Sequence, residues 1–231
     1  MFRLDSKLMG AISTFTDYII LVIFCILFSI PIFTIGASVS AMYYVSMKMA
    51  RGKDVYIFRD FIKGFRDSFK NATIAWIILL LLDAAVGYTW IWLYYDNSIA
   101  LGKTFTIIFL CLSVYLVFLQ LMIFPFIARF ENSIYNTFKL TMGFTLLRLI
   151  PLAIVLFLDL LPILLSYKYV GYAIGIMPVG EALALYLNGY IFANMFKKIE
   201  PEKENEPEEV DDGEKIFSDT LLEDNAMQMG K

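Results

Sequence analysis

Five apolar runs, each long enough to cross about 30 Å of hydrocarbon as a helix, dominate this chain. They extend from Tyr18 to Met47, Ala72 to Tyr95, Thr104 to Ala128, Met142 to Ser166 and Tyr169 to Phe196. In lipid every backbone N–H and C=O must be satisfied within the protein, so runs of this kind fold as helices. The fold class expected is an all-α, polytopic integral membrane helical bundle of five transmembrane helices. The first run is too long for one straight crossing, because about thirty residues rising about 1.5 Å each reach roughly 45 Å. Pro31 and Gly36, within SIPIFTIGAS, predict a kink there, with the second half tilted or running out into the cytoplasm. A signal peptide cleaved near Gly36-Ala37-Ser38 is the rival reading. The run is too long for one, and Arg3 and Lys7 before it are cancelled by Asp5 and Asp17.

Composition then narrows the chemistry. The chain is 59% hydrophobic and 18% charged, against about 45–50% and about 25% for soluble domains, and it contains no His. Without His the usual neutral-pH base and metal ligand is missing. Cys25 and Cys111, both in apolar surroundings, read as packing residues. These features exclude a zinc or haem protein, a Ser-His-Asp or Cys-His enzyme, a disulfide-stapled domain and a coiled coil; no metal or cofactor is expected.

Charge divides the chain into a membrane body, residues 1–199, and an acidic tail, 200–231. The tail carries twelve acids against Lys203, Lys215 and Lys231, leaving the body at +6. Such a tail is expected to stay disordered, with IFSDTLLEDNAM from Ile216 to Met227 as a short apolar interruption able to fold against a partner. The basic residues are needed beside the spans, so nucleic-acid binding is not indicated. Eleven Lys and Arg follow the first, third and fifth runs, facing Arg3, Lys7, Lys103 and Lys168 on the other side. The positive-inside rule therefore predicts a multi-pass protein with its N-terminus outside and its tail in the cytoplasm. Trp90, Trp92, Tyr94 and Tyr95 would then form an outer aromatic belt.

Two cytoplasmic segments have amphipathic spacing. In one, Phe58, Phe61, Ile62, Phe65 and Phe69 oppose Arg59, Lys63, Arg66 and Lys70, the pattern of a helix lying in the headgroup layer. In the other, Phe130, Ile134, Phe138 and Met142 repeat every four residues. Each segment contains Phe-Lys and leads into a run holding an Asp, which suggests an internal parallel repeat; two independent juxtamembrane helices are the plainer account.

SIPIFTIGASVSAMYYVSMKMARG followed by FRDFIKGFRDSFKNA, and later FPFIARFENS, resembles the YesL-like family of small bacterial membrane proteins of unknown function. The Pro-x-x-Thr-x-Gly core is Pro31, Thr34 and Gly36, and the resemblance extends over about the first 195 residues. Such proteins occur beside carbohydrate-uptake systems. The resemblance therefore implies a non-enzymatic accessory or regulatory protein of the bacterial cell membrane, with the lipid bilayer and a sugar ABC permease, or a second copy, as partners. It carries over no catalytic residue.

Ionisable groups at membrane depth are the candidate polar site: Asp83, Glu181, Arg148 and Asp159. Asp83 and Glu181 both lie roughly 17–18 Å from the ends of their runs, deep enough to share a cavity near the midplane. Asp159 falls nearer the outer face. Arg148, about 9 Å from the inner face, is within reach of Asp83 and close enough to snorkel. An independent small-solute transporter or channel using these carboxylates is the alternative function; single acids holding helices in register are the structural account. Pro125, Pro151, Pro162 and Pro178 bend spans, and Pro178 with Gly180 exposes backbone beside Glu181, although bent helices are also ordinary packing devices. At Pro31, Thr34 and Gly36 a helix break could free backbone groups for a ligand. The favoured account is close helix packing through Gly36, Ala37, Ser38, Ser40 and Ala41.

Overall fold

The computed structural model describes residues 2–95, 103–130, 132–168 and 173–197. Among them the chain forms seven α-helices and no strand: α1 (Phe2–Phe28), α2 (Ile35–Ala50), α3 (Ile57–Tyr95), α4 (Lys103–Arg129), α5 (Ile134–Leu147), α6 (Leu149–Lys168) and α7 (Ala173–Lys197). By internal contacts the chain divides into residues 1–195 and 196–231. Of the second part only Phe196 and Lys197 are described; the acidic tail and its apolar interruption lie outside the described residues. Three helices, within Ile57–Leu93, Phe105–Arg129 and Leu149–Tyr167, are long and apolar enough to cross a membrane, and α1 adds a shorter apolar stretch, Ile12–Phe28. Long apolar helices of this kind suggest a membrane protein.

The first apolar run does not cross once with a kink. It folds back on itself. The Tyr18 hydroxyl of α1 donates to the Ser46 carbonyl near the end of α2 at 3.5 Å, although a continuous helix would hold these residues roughly 42 Å apart. The same conclusion follows from α3. Gly36 abuts Ala72 and Trp76, Tyr44 abuts Gly64, and Lys48 pairs with Asp60 at 3.2 Å, so α2 runs antiparallel to α3. Phe24 meets Phe58 and Phe61, and Phe28 meets Phe61 and Phe65, so α1 runs parallel to it. The N-terminal end of the hairpin therefore lies with the basic segment after α2.

Pro31 makes the fold-back by having no N–H to continue α1, and local donors close the carbonyls freed at the bend. The Ser29 N–H donates to the Cys25 carbonyl at 3.0 Å. The Thr34 hydroxyl lies 2.6 Å from the Phe28 carbonyl and 2.7 Å from that of Pro31, and the Trp76 indole N–H donates to the Ile32 carbonyl at 2.9 Å. At the other end of α2, Gly52 takes φ 70°, the left-handed turn that ends a helix without steric cost. Asp60 then anchors the start of α3 by accepting the Tyr56 N–H at 2.9 Å beside the Lys48 ammonium.

The first amphipathic segment differs from its expected setting. Its Phe row does not belong to a separate helix: it opens the 39-residue α3, and α1 covers part of it with Phe24 and Phe28, burying Phe61 while Phe58 and Phe69 stay exposed. In α5 the buried row is Thr137, Thr141 and Thr145, while Met142 is exposed. The Thr141 hydroxyl donates to the Thr137 carbonyl at 2.6 Å and that of Thr145 to Thr141 at 2.7 Å, so these side chains are small and already satisfied. α5 and α6 are separated at Arg148, because the Pro151 ring clashes with the carbonyl four residues before it. The continuous α3 and the divided α5–α6 thus build their corresponding segments differently.

Candidate functional site

Two polar centres form within the apolar helices, and they divide the four expected ionisable residues differently from the sequence. The first joins α3 and α4, which run antiparallel through Trp76–Phe124, Asp83–Gln120 and Trp90–Ser113. From Ala72 to Tyr95 Asp83 is the one charged residue, and from Thr104 to Ala128 Gln120 is the one amide. The Gln120 Nε2 lies 2.8 Å from one carboxylate oxygen of Asp83 and 2.7 Å from the other. Asp83 is nonetheless exposed, among the exposed Leu80, Leu81, Leu82 and Tyr88.

The second centre lies between α6 and α7, where Gly180 lets the helices meet: a Cβ there would stand 2.5 Å from Pro162 Cβ. Asn188, only 1% exposed, donates through Nδ2 to Asp159 Oδ1 at 2.7 Å. Glu181, half-buried two turns earlier on α7, lies within electrostatic reach of Asp159, and the buried Tyr43 of α2 within reach of both. Asn188 Oδ1 is buried with no hydrogen-bond partner. Gly189 packs against Ser46 so closely that a Cβ would overlap its hydroxyl; that hydroxyl donates to the Leu185 carbonyl at 3.1 Å, tying α7 to the hairpin.

Glu181 is therefore grouped with Asp159, not with Asp83. Arg148 stands at the α5–α6 division, its backbone N–H donating to the Phe144 and Thr145 carbonyls, and Asp83 meets Gln120 in place of it. Among the described residues neither Asp83 nor Arg148 has an ionic partner. Pro31 and Thr34 build the fold-back, and Gly36 is the contact point of α2 with α3, where a Cβ would meet the Ala72 carbonyl oxygen at 2.5 Å. No group of three His, Cys, Asp or Glu placed to hold a metal occurs among the described residues.

The partners that sequence reasoning missed are Gln120, Asn188 and Tyr43. An amide within an otherwise apolar run is costly to bury without a hydrogen-bond partner, and that was the available signal for Gln120 and Asn188. Asn188→Leu should destabilise the protein by about 1.5–3 kcal/mol, because it leaves the Asp159 carboxylate without its buried donor. Thermal unfolding in detergent checks this, and Asp159→Leu added to it should recover part of the loss. A double variant no more stable than the single one would mean that the pair is not coupled.

No curated protein and no solved structure matches this chain. The sequence comparison that does succeed covers the hairpin and α3 but neither acid of the α6–α7 centre: over residues 18–96 the chain is similar to a family described as "Protein of unknown function, DUF624".

Proposed function

We propose that this protein is a multi-pass subunit of the bacterial cell membrane, YesL-like and without catalysis of its own, that assists a carbohydrate ABC permease. The observation that carries the reading is Asp83 with Gln120, an exposed polar pair amid exposed leucines on α3 and α4. A carboxylate at the middle of a span costs about 2.5–3.5 kcal/mol on insertion scales, and such groups almost always face protein. A surface of this kind suits a docking subunit better than a pore, whose charges face inward. The permease as partner class rests on the YesL-like resemblance.

The topology that accompanies this reading follows the hairpin. A hairpin returns to the side it enters from, so Arg3 and Lys7 join the basic segments. Thirteen Lys and Arg then face Lys103 and Lys168 alone, a stronger bias than five spans give. Both termini are cytoplasmic in this arrangement.

The experiment is affinity purification of the tagged protein from its native membrane in mild detergent, from cells grown on plant polysaccharide. A permease subunit recovered in near-equal amount is the expected result. Recovery of the protein alone would overturn the accessory reading. Its rival, a small-solute transporter, is favoured by the Asp159–Asn188–Glu181 centre and would then be tested by solute uptake into vesicles, wild type against Asp159→Asn.

A further inference from the structure

We propose that the chain pairs with a second copy of itself through reciprocal Asp83–Arg148 contacts across the membrane-exposed face of α4. The inference rests on the reading of the α3–α4 face as a docking surface and assigns that face to a second copy, so that the permease would meet the pair through another face.

Asp83 and Arg148 are opposite charges, each set in exposed apolar surface and each without an ionic partner among the described residues. Around Asp83 lie Leu80, Leu81 and Leu82; around Arg148 lie Leu147 and Ile150, both 79% exposed. Asp83 has an amide for company and Arg148 has only the end of its own helix. A carboxylate keeps acceptor capacity after one amide has bonded it, and a guanidinium has five donors in a fork suited to a carboxylate.

Their placement suits a two-fold pair. α4 contacts α3 as well as α5 and α6, and α3 also touches α5, so Asp83 and the α5–α6 division both stand next to the same helix. The approach of α5 to α4 brackets the same stretch of α4. Asp83 meets α4 at Gln120, while α5 reaches α4 through the Tyr115 hydroxyl on the Met142 carbonyl and the Phe126 ring on Phe144, one above and one below Gln120. A two-fold axis beside α4, along the membrane normal, sets α3 of each copy opposite α5–α6 of the other. Asp83 then faces the partner's Arg148 and Arg148 the partner's Asp83, as a self-complementary interface requires. Two ion pairs form in hydrocarbon, where each charge alone would be costly.

The test is the number of copies of the full chain in lipid nanodiscs, by native mass spectrometry across a dilution series. Wild type should be a dimer. Asp83→Arg and Arg148→Asp should each loosen it by about a hundredfold or more, since each variant opposes like charges at both contacts. The double variant, which restores opposite charges with their positions exchanged, should dimerise again. Asp83→Asn keeps the contact with Gln120 and removes only the charge; it should weaken pairing about tenfold while its melting temperature stays that of wild type, separating loss of pairing from loss of folding. A monomeric wild type, or single variants that dimerise as tightly as wild type, would overturn the inference. So would a folded double variant that stays monomeric. A monomer that still brings down the permease would overturn this inference and leave the accessory reading standing. A dimer purified without permease would do the reverse.

Discussion

Gly36→Val should leave little folded protein. A Cβ at this position would lie 2.5 Å from the Ala72 carbonyl oxygen and 2.7 Å from Trp76 Cβ, with the Phe124 ring at 3.1 Å. Two of these obstacles belong to the helical body of α3, so no flexible side chain can simply turn aside. Separating α2 from α3 would also withdraw the Trp76 indole from the Ile32 carbonyl and loosen the buried contact of Gly64 with Tyr44. Overpacking a core costs about 1–3 kcal/mol even for small insertions, against a total stability of about 5–15 kcal/mol, and valine brings three carbons to a site with room for none. Size-exclusion profiles and thermal unfolding of the detergent-solubilised variant should show loss of the folded peak, with Gly36→Ala partway. Gly87→Val serves as the control, because nothing lies within 4 Å of a Cβ there. A Gly36→Val protein that melts with wild type would mean that α2 does not rest on α3 at this point.

The second large effect concerns sidedness and is close to all-or-none. With Cys25 and Cys111 replaced by Ala, Ser6→Cys should escape a membrane-impermeant maleimide in intact cells and label once the cells are opened, as should a Cys in the tail. Asn97→Cys should label in intact cells. The expectation comes from Tyr18 and Ser46, which meet across the hairpin and so put the start of α1 with the basic segment after α2. Labelling of Ser6→Cys in intact cells would restore a net crossing between the N-terminus and α3, and the fold-back would have to be abandoned.

Apolar run length located the helices well in Ala72–Tyr95 and Thr104–Ala128, because a predominantly apolar stretch of that length has one helical solution. Run length was blind to direction. Tyr18 to Met47 reads the same whether the chain continues or doubles back, and only the donors that close the bend, Thr34 and the distant Trp76, distinguish the two. Periodicity was incomplete in α5 for a related reason. The apolar row Phe130, Ile134, Phe138 and Met142 marked α5 as amphipathic, but the row packed inward is Thr137, Thr141 and Thr145, which apolar spacing does not reveal. Among the site residues, the acids stood out as charges in apolar runs, but their grouping depended on helix pairing. Asp83 is fixed by the antiparallel match of α3 with α4, and Glu181 by the approach of Gly180 to Pro162, neither of which a one-dimensional pattern contains.

The hairpin also imposes an order on biogenesis. Thr34 is synthesised with the bend and can close the Phe28 carbonyl as soon as the turn forms, whereas the donor for Ile32 is Trp76, which leaves the ribosome 44 residues later. A nascent chain that has delivered α1 and α2 but not α3 therefore holds an unfinished bend. The hairpin becomes a self-sufficient insertion unit only when α3 arrives beside it, so α1 through α3 should enter the bilayer as one concerted parcel, with Trp76 as the latch that completes it.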